Sequence, residues 1–170
     1  MKANNLFRRR LFEDIKVSIV MPAFNRADRI GNAINSVLAQ SHKNFELLII
    51  DDGSTDNTKE VLERFSNDDR VRVFWNDHLG VSAARNTGLH NATGQYIFYL
   101  DSDNTWTVDF LAVMVVALKT SGKACMYGAS KLQNASDEVI GYRGESTCAW
   151  PGRCDNGTNT SLVRRFCSRT

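Results

Sequence analysis

The feature that most constrains the fold is an alternation of short apolar runs with segments of helical period. "KVSIVMP" gives a near-continuous apolar strand, Val17 to Met21, which Pro22 closes by removing a backbone donor. Ile30, Ala33, Ile34, Val37 and Leu38 then recur at i, i+3, i+4, i+7 and i+8, the stripe of one helix face. "FELLIID" is a second strand, followed by Ser54 or Thr55 as a helix cap and a face of Val61, Leu62 and Phe65. "VRVFW" is a third strand, and after Gly80 a helix runs from about Val81 to Leu89. Gly94 punctuates before "QYIFYL", a fourth apolar strand. "TVDFLAVMVVALK" reads as a helix with Thr107 as its cap and Asp109 favourable in its first turn. "KACMYGA" and "EVIGYR" read as shorter strands. Apolar strands joined by helices predict an α/β fold with a doubly wound, mostly parallel sheet.

At 170 residues the chain fits one such domain. No apolar run approaches the roughly 20 residues that span a bilayer. "MKANNLFRRRLFEDIK" has no apolar core or cleavage site of a secretory signal. Cys125, Cys148, Cys154 and Cys167 form neither a CxxC pair nor a zinc spacing, which favours free thiols and a cytoplasmic location. The net charge of +2 is unevenly spread: residues 1–16 and 151–170 each carry +3, leaving −4 between them. A fold-wide basic surface for nucleic acid is therefore absent. The basic arm, Arg8-Arg9-Arg10 among Leu6, Phe7, Leu11 and Phe12, suits either peripheral contact with an anionic membrane or a packed tail.

In doubly wound sheets, ligands sit outside the carboxyl ends of the strands. Four such ends carry polar signatures: Pro22-Ala23-Phe24-Asn25, Asp51-Asp52-Gly53-Ser54, Asn76 with Gly80 and Arg85, and Asp101-Ser102-Asp103. If the chain stays extended, Asp101 and Asp103 point the same way and suit a hard divalent cation. A polar turn that caps the next helix is an equal reading of the same stretch. One of the paired aspartates beside the second strand could accept hydrogen bonds from a ribose or base, and part of that motif is plainly a turn. Gly80 permits close backbone approach, and Arg85 lies near a helix start that favours phosphate; a solvated arginine is the plain alternative. Phe24 could stack on a base or pack into the core. His42, His78 and His90 show no ligand spacing and are read as structural.

Taken together, "VSIVMPAFNRADRIGNAINSVLAQSHKNFELLIIDDGSTDNT" and "GVSAARNTGLHNATGQYIFYLDSDN", in this order and separation, resemble the family 2 glycosyltransferases. That resemblance, from about Lys16 to Leu118, implies a GT-A type fold and a nucleotide-diphosphate sugar donor, UDP-linked by expectation. It implies that Pro22, Ala23 and Phe24 line the base pocket, that Asp52 reaches base or ribose, and that Arg85 lies near base or diphosphate. Asp101 would approach the ribose and metal, and Asp103 would be the main protein ligand to Mn²⁺ or Mg²⁺. The family generally transfers with inversion to a saccharide or lipid-linked acceptor, in surface polysaccharide or glycolipid synthesis.

On this reading residues 1–15 form a basic arm and 16–170 one domain, with a nucleotide-sugar half at 16–120 and a partial acceptor half at 121–170. The Glu-Asp motif expected for the catalytic base is not found. Asp137, Glu138, Glu145 and Asp155 sit in no recognisable base motif, so no base is assigned. The alternative expectation is a truncated module that binds the nucleotide sugar without transferring it.

Overall fold

The computed structural model describes residues 12–122 and, beyond them, strand residues 127–128, 130–133, 139–143, 149–150, 152–153 and 163–164. The chain divides between Ala112 and Val113 into two compact units. In the first unit the order is β1 (Val17–Ala23), α1 (Ile30–Leu38), β2 (Phe45–Asp51), α2 (Thr58–Glu63), β3 (Val71–Trp75), α3 (Val81–Asn91) and β4 (Tyr96–Tyr99). The strands form one parallel sheet in the order β3-β2-β1-β4. Helix α4 (Phe110–Ser121) begins in this unit and continues into the next.

Among the described residues of the second unit, β5 (Tyr127–Gly128) pairs antiparallel with β10 (Val163–Arg164), and β6 (Ser130–Gln133) with β7 (Val139–Arg143). The short β8 (Ala149–Trp150) and β9 (Gly152–Arg153) pair likewise. Strands in "KACMYGA" and "EVIGYR" are thus present, while the basic arm through residue 11 lies outside the described residues.

The core follows from side-chain alternation along β1 and β2. Val20, Leu48 and Ile50 face one side and pack with Ala84 of α3. Ile19, Met21, Leu47 and Ile49 lie on the other side and are fully buried, as are Ile30, Ile34 and Val37 of α1. The helical stripe in α1 is therefore its buried face.

Several local expectations are corrected. β1 does not stop before Pro22 but runs through it to Ala23. The Val20 carbonyl accepts from the Leu100 amide, while the Ala23 carbonyl accepts from the Asp52 amide on the β2 side. Backbone groups alternate sides, so the donor that Pro22 lacks would face the β4 side, past the last β4 pairing at Tyr99. β4 is not buried on both faces: at the sheet edge, Phe98 is buried while Ile97 and Tyr99 are exposed. Neither Ser54 nor Thr55 caps α2. The Asp56 carboxylate accepts from the Thr58 amide (3.0 Å) and hydroxyl, and Phe65 falls beyond the helix end.

The start of α4 is held by a residue far away in sequence, not by the Thr107 side chain. Gln40, fully buried just past α1, accepts from the Leu111 amide (2.9 Å) and donates to the carbonyls of Thr107 (2.7 Å) and Ser36 (3.0 Å). The Gln40→Leu variant keeps approximate volume but leaves those buried groups unpaired. We expect it to lose roughly 3 kcal/mol of stability. Urea denaturation should show a lower midpoint with an unchanged slope; an unaltered midpoint would refute the clamp.

Candidate donor-binding site

Because β1 to β4 are parallel, their carboxyl ends open on the same side of the sheet. A cavity of about 450 Å³ lies there. All seven residues that the family resemblance assigns to the site line it: Pro22 and Ala23 at the end of β1, Phe24 just after it, Asp52 after β2, Arg85 on α3, and Asp101 and Asp103 after β4. Arg26, His78, Gly80, Val81, Ala84 and Ser102 complete the lining.

The loops after β1 and β2 are joined to one another. Asn25 donates its amide to Ser54 Oγ (2.8 Å), and its side-chain oxygen accepts from the Thr55 amide (2.8 Å). Arg26 and Ala27 donate amides to Thr58 Oγ1 (2.9 Å) and Asp56 Oδ2 (3.1 Å). Asn25 adopts a left-handed backbone (φ 52°), which asparagine tolerates better than most residues. These bonds place Phe24 and Arg26 on the cavity wall. Phe24 is 39% exposed and is not a core residue.

Its neighbour there is His78, with ring centroids 4.4 Å apart. Sequence spacing left His78 as a structural residue, yet it lines the cavity. The available signal was its place two residues before a helix-opening glycine, not any ligand spacing. The His78 Nδ1 lies 3.0 Å from the Asp52 main-chain carbonyl, which can only accept, so Nδ1 donates. Among the described residues no hydrogen bond engages its Nε2. His42, by contrast, is buried with Nε2 against the Ile15 carbonyl, as a structural histidine.

Asp52 holds the loop ahead of α3. Its carboxylate is nearly buried; one oxygen accepts from the Leu79 amide (2.9 Å) and the other from the Gly80 amide (2.8 Å). Each oxygen keeps a further lone pair that a ligand N–H or O–H could meet. Asp51 turns inward, where Oδ1 accepts from the Ser54 amide (2.8 Å) and Oδ2 is buried without a partner among the described residues. Gly80 opens α3 at φ 89° with nothing within 4 Å of a would-be Cβ. That positive angle is one that glycine adopts without strain.

The Asp-Ser-Asp stretch is not extended, which corrects the geometric premise of the sequence reading. The Asn104 amide bonds back to the Asp101 carbonyl (3.0 Å), closing a turn. Ser102 is buried at the middle of it, while Asp101 and Asp103 are both exposed on the cavity wall. Behind the turn, Trp106 stacks on Phe110 (4.6 Å) and Phe98 meets both edge-on. Arg85 reaches across from α3, with Nη2 3.0 Å from Asp101 Oδ1. Asp103 makes no side-chain hydrogen bond or ion pair among the described residues.

Whether this turn suits a metal is answerable from its donors. Two exposed carboxylates supply hard oxygen ligands. Among the described residues no third His, Cys, Asp or Glu joins them in a cluster. That matches a magnesium-like ion, which takes one or two carboxylates and completes its shell with substrate phosphates and water. The residues fit such an ion in the presence of a phosphorylated ligand.

A parallel α/β sheet with a polar cavity at its strand ends is the ordinary ligand-site arrangement of an open α/β fold, and comparison with known proteins sharpens it. The chain belongs to Glycosyl transferase family 2, whose model matches residues 18–160. It is 37% identical over 130 residues to an Escherichia coli protein, the UDP-Glc:alpha-D-GlcNAc-diphosphoundecaprenol beta-1,3-glucosyltransferase WfgD, covering 76% of this chain and 51% of that one. An uncharacterized glycosyltransferase of Rickettsia felis is 44% identical over 111 residues, 65% of this chain and 18% of its own length.

Among solved structures, Staphylococcus aureus TarS 1–349 in complex with UDP-GlcNAc superposes with a TM-score of 0.66 at 23% identity, over 78% of this chain and 39% of that one. The mannosyltransferase PcManGT of Pyrobaculum calidifontis, in complex with GDP-Man and Mn²⁺, gives 0.58 at 22% identity, over 80% and 45%. The fold is thus of the GT-A type. The chain spans about half or less of these relatives' lengths.

Proposed function

We propose that this chain carries the donor site of a metal-dependent, inverting glycosyltransferase that uses a UDP-sugar. The observation that carries the proposal is the convergence of four strand-end loops on one cavity with three carboxylates and two guanidinium groups. Phe24 and His78, packed against each other at a 33° tilt, offer aromatic faces to the base. Asp52 holds the loop that carries His78 and has lone pairs left for base or ribose. Arg26 and Arg85 supply positive charge for the diphosphate. Asp103, with Asp101, would hold Mn²⁺ or Mg²⁺, and such an ion, when bound, stabilises the charge that develops on the departing nucleoside diphosphate.

In this reading residues 16–120 form the donor half and 121–170 begin the acceptor half. A saccharide or lipid-linked acceptor, in surface polysaccharide or glycolipid synthesis, is supported by the stated activity of WfgD. No helix among the described residues is long and apolar enough to cross a membrane. Peripheral membrane contact by the basic arm is part of the same proposal.

Calorimetric titration of UDP in the presence of Mn²⁺ tests the site. Binding should need the ion, and Asp103→Ala should weaken it at least about tenfold, the loss of one charged ligand interaction. Undiminished binding in EDTA, or in the variant, would remove the metal from the proposal.

A further inference from the structure

We propose that Arg85 couples cation binding to diphosphate binding, by holding Asp101 until an anionic ligand draws the guanidinium away. The inference rests on the donor-site reading above and adds a positioning role that this reading does not contain.

The contact is a single one, Nη2 to Oδ1 at 3.0 Å, not the two-pronged fork that makes arginine–carboxylate pairs strong. Both side chains are about half exposed, 41% and 54%, so water screens the pair and little energy is needed to part it. The backbone beneath it is fixed. Asp52 grips the amides of residues 79 and 80 at the head of α3, and Gly88 seats that helix directly on Val20 and Ile50. Only the arginine side chain has to move.

Among the described residues the acids lining the cavity are Asp52, Asp101 and Asp103. Asp52 already receives two amides, so Asp101 is where Arg85 rests, and Asp103 has no side-chain partner among the described residues. A divalent cation placed on Asp101 and Asp103 would meet a guanidinium on the same carboxylate. Two positive groups sharing one carboxylate repel, and cation binding alone is penalised. A diphosphate reverses the balance: its oxygens accept from Arg85 and also fill the cation's remaining positions. Each ligand then favours the other, by the same factor in both directions.

The test measures Mn²⁺ alone by the electron paramagnetic resonance signal of the free ion, then with UDP added. The proteins are wild type, Arg85→Gln and Arg85→Lys. The Gln variant should bind Mn²⁺ alone about three- to fivefold more tightly than wild type, the size expected for a half-exposed ion pair. Its enhancement of Mn²⁺ binding by UDP should shrink, and the Lys variant should lie between the two. A merely structural defect would weaken Mn²⁺ binding, so the gain is diagnostic. Unchanged or weaker Mn²⁺ binding by the Gln variant, with wild type responding to UDP, overturns the coupling alone. A wild type that binds neither Mn²⁺ nor UDP overturns the donor-site reading and the coupling with it.

Discussion

Glu46→Gln is expected to lose on the order of 3 kcal/mol of stability at neutral pH and to flatten the acid limb of unfolding. Glu46 is the second residue of β2, at the amino-terminal rim of the sheet, with its side chain only 8% exposed. One oxygen accepts from Ser18 Oγ (2.6 Å), the Thr93 amide (2.7 Å) and Thr93 Oγ1 (2.9 Å). The other faces Lys16 at 3.5 Å and Arg72 at 3.4 Å. Burial alone would raise its pKa, but the bonds from Ser18 and Thr93, with the Lys16 charge, outweigh that and hold it down to about 2.

A depressed carboxylate stabilises the fold fully above its unfolded pKa, near 4.5, and the stabilisation drains away as pH falls toward 2. Glutamine has no charge to lose and turns an NH₂ donor toward a ring of donors. Urea midpoints at several pH values should show wild type and variant far apart at pH 7 and converging near pH 2. Parallel curves at all pH values would refute the assignment.

Gly94→Ala should cost about 3 kcal/mol or more, at the upper end for an overpacked site. A Cβ there would lie 2.5 Å from the Ser18 amide nitrogen and 2.7 Å from the Val17 carbonyl carbon. Both are backbone atoms of the central strand and cannot step aside. The same change would break the approach that lets the Gly94 amide donate to Ser18 Oγ (2.8 Å). Gly88→Ala makes a useful comparison, because its Cβ would meet side chains rather than backbone: the end methyl of Ile50 can turn aside, while β-branched Val20 has to shift. Thermal unfolding should rank the variants with Gly94→Ala below Gly88→Ala; the reverse order would mean that the β1 backbone yields more easily than its side chains.

What was legible beforehand was local. Continuous apolar runs and a period-3.6 stripe expose β1, β2 and α1 because their burial is a property of each segment alone. The polar stretches after each apolar run are visible for the same reason, and each contributes residues to one cavity. Contacts between distant segments leave no periodic trace. Gln40 meets Leu111, and Glu46 meets Ser18 and Thr93, across separations that no spacing rule connects. Asp52 shows the same gap from the other side. Its motif pointed to ligand chemistry, while its two oxygens carry the loop ahead of α3. His78 was passed over because its setting depends on that loop, and the turn at Asp101 depends on a backbone bond that side-chain alternation does not encode.

The Glu46 knot and the cavity lie at opposite rims of the sheet, separated by the length of β2, about 16 Å from Glu46 to Asp51 at ordinary strand rise. Mutations at such a distance, sharing no partner, combine nearly additively. The amino rim can therefore be strengthened or weakened as an independent dial. A more robust amino rim would provide a reserve against which Phe24, His78 and Val81 could be randomised for new donor preferences, with folding and recognition selected in separate rounds.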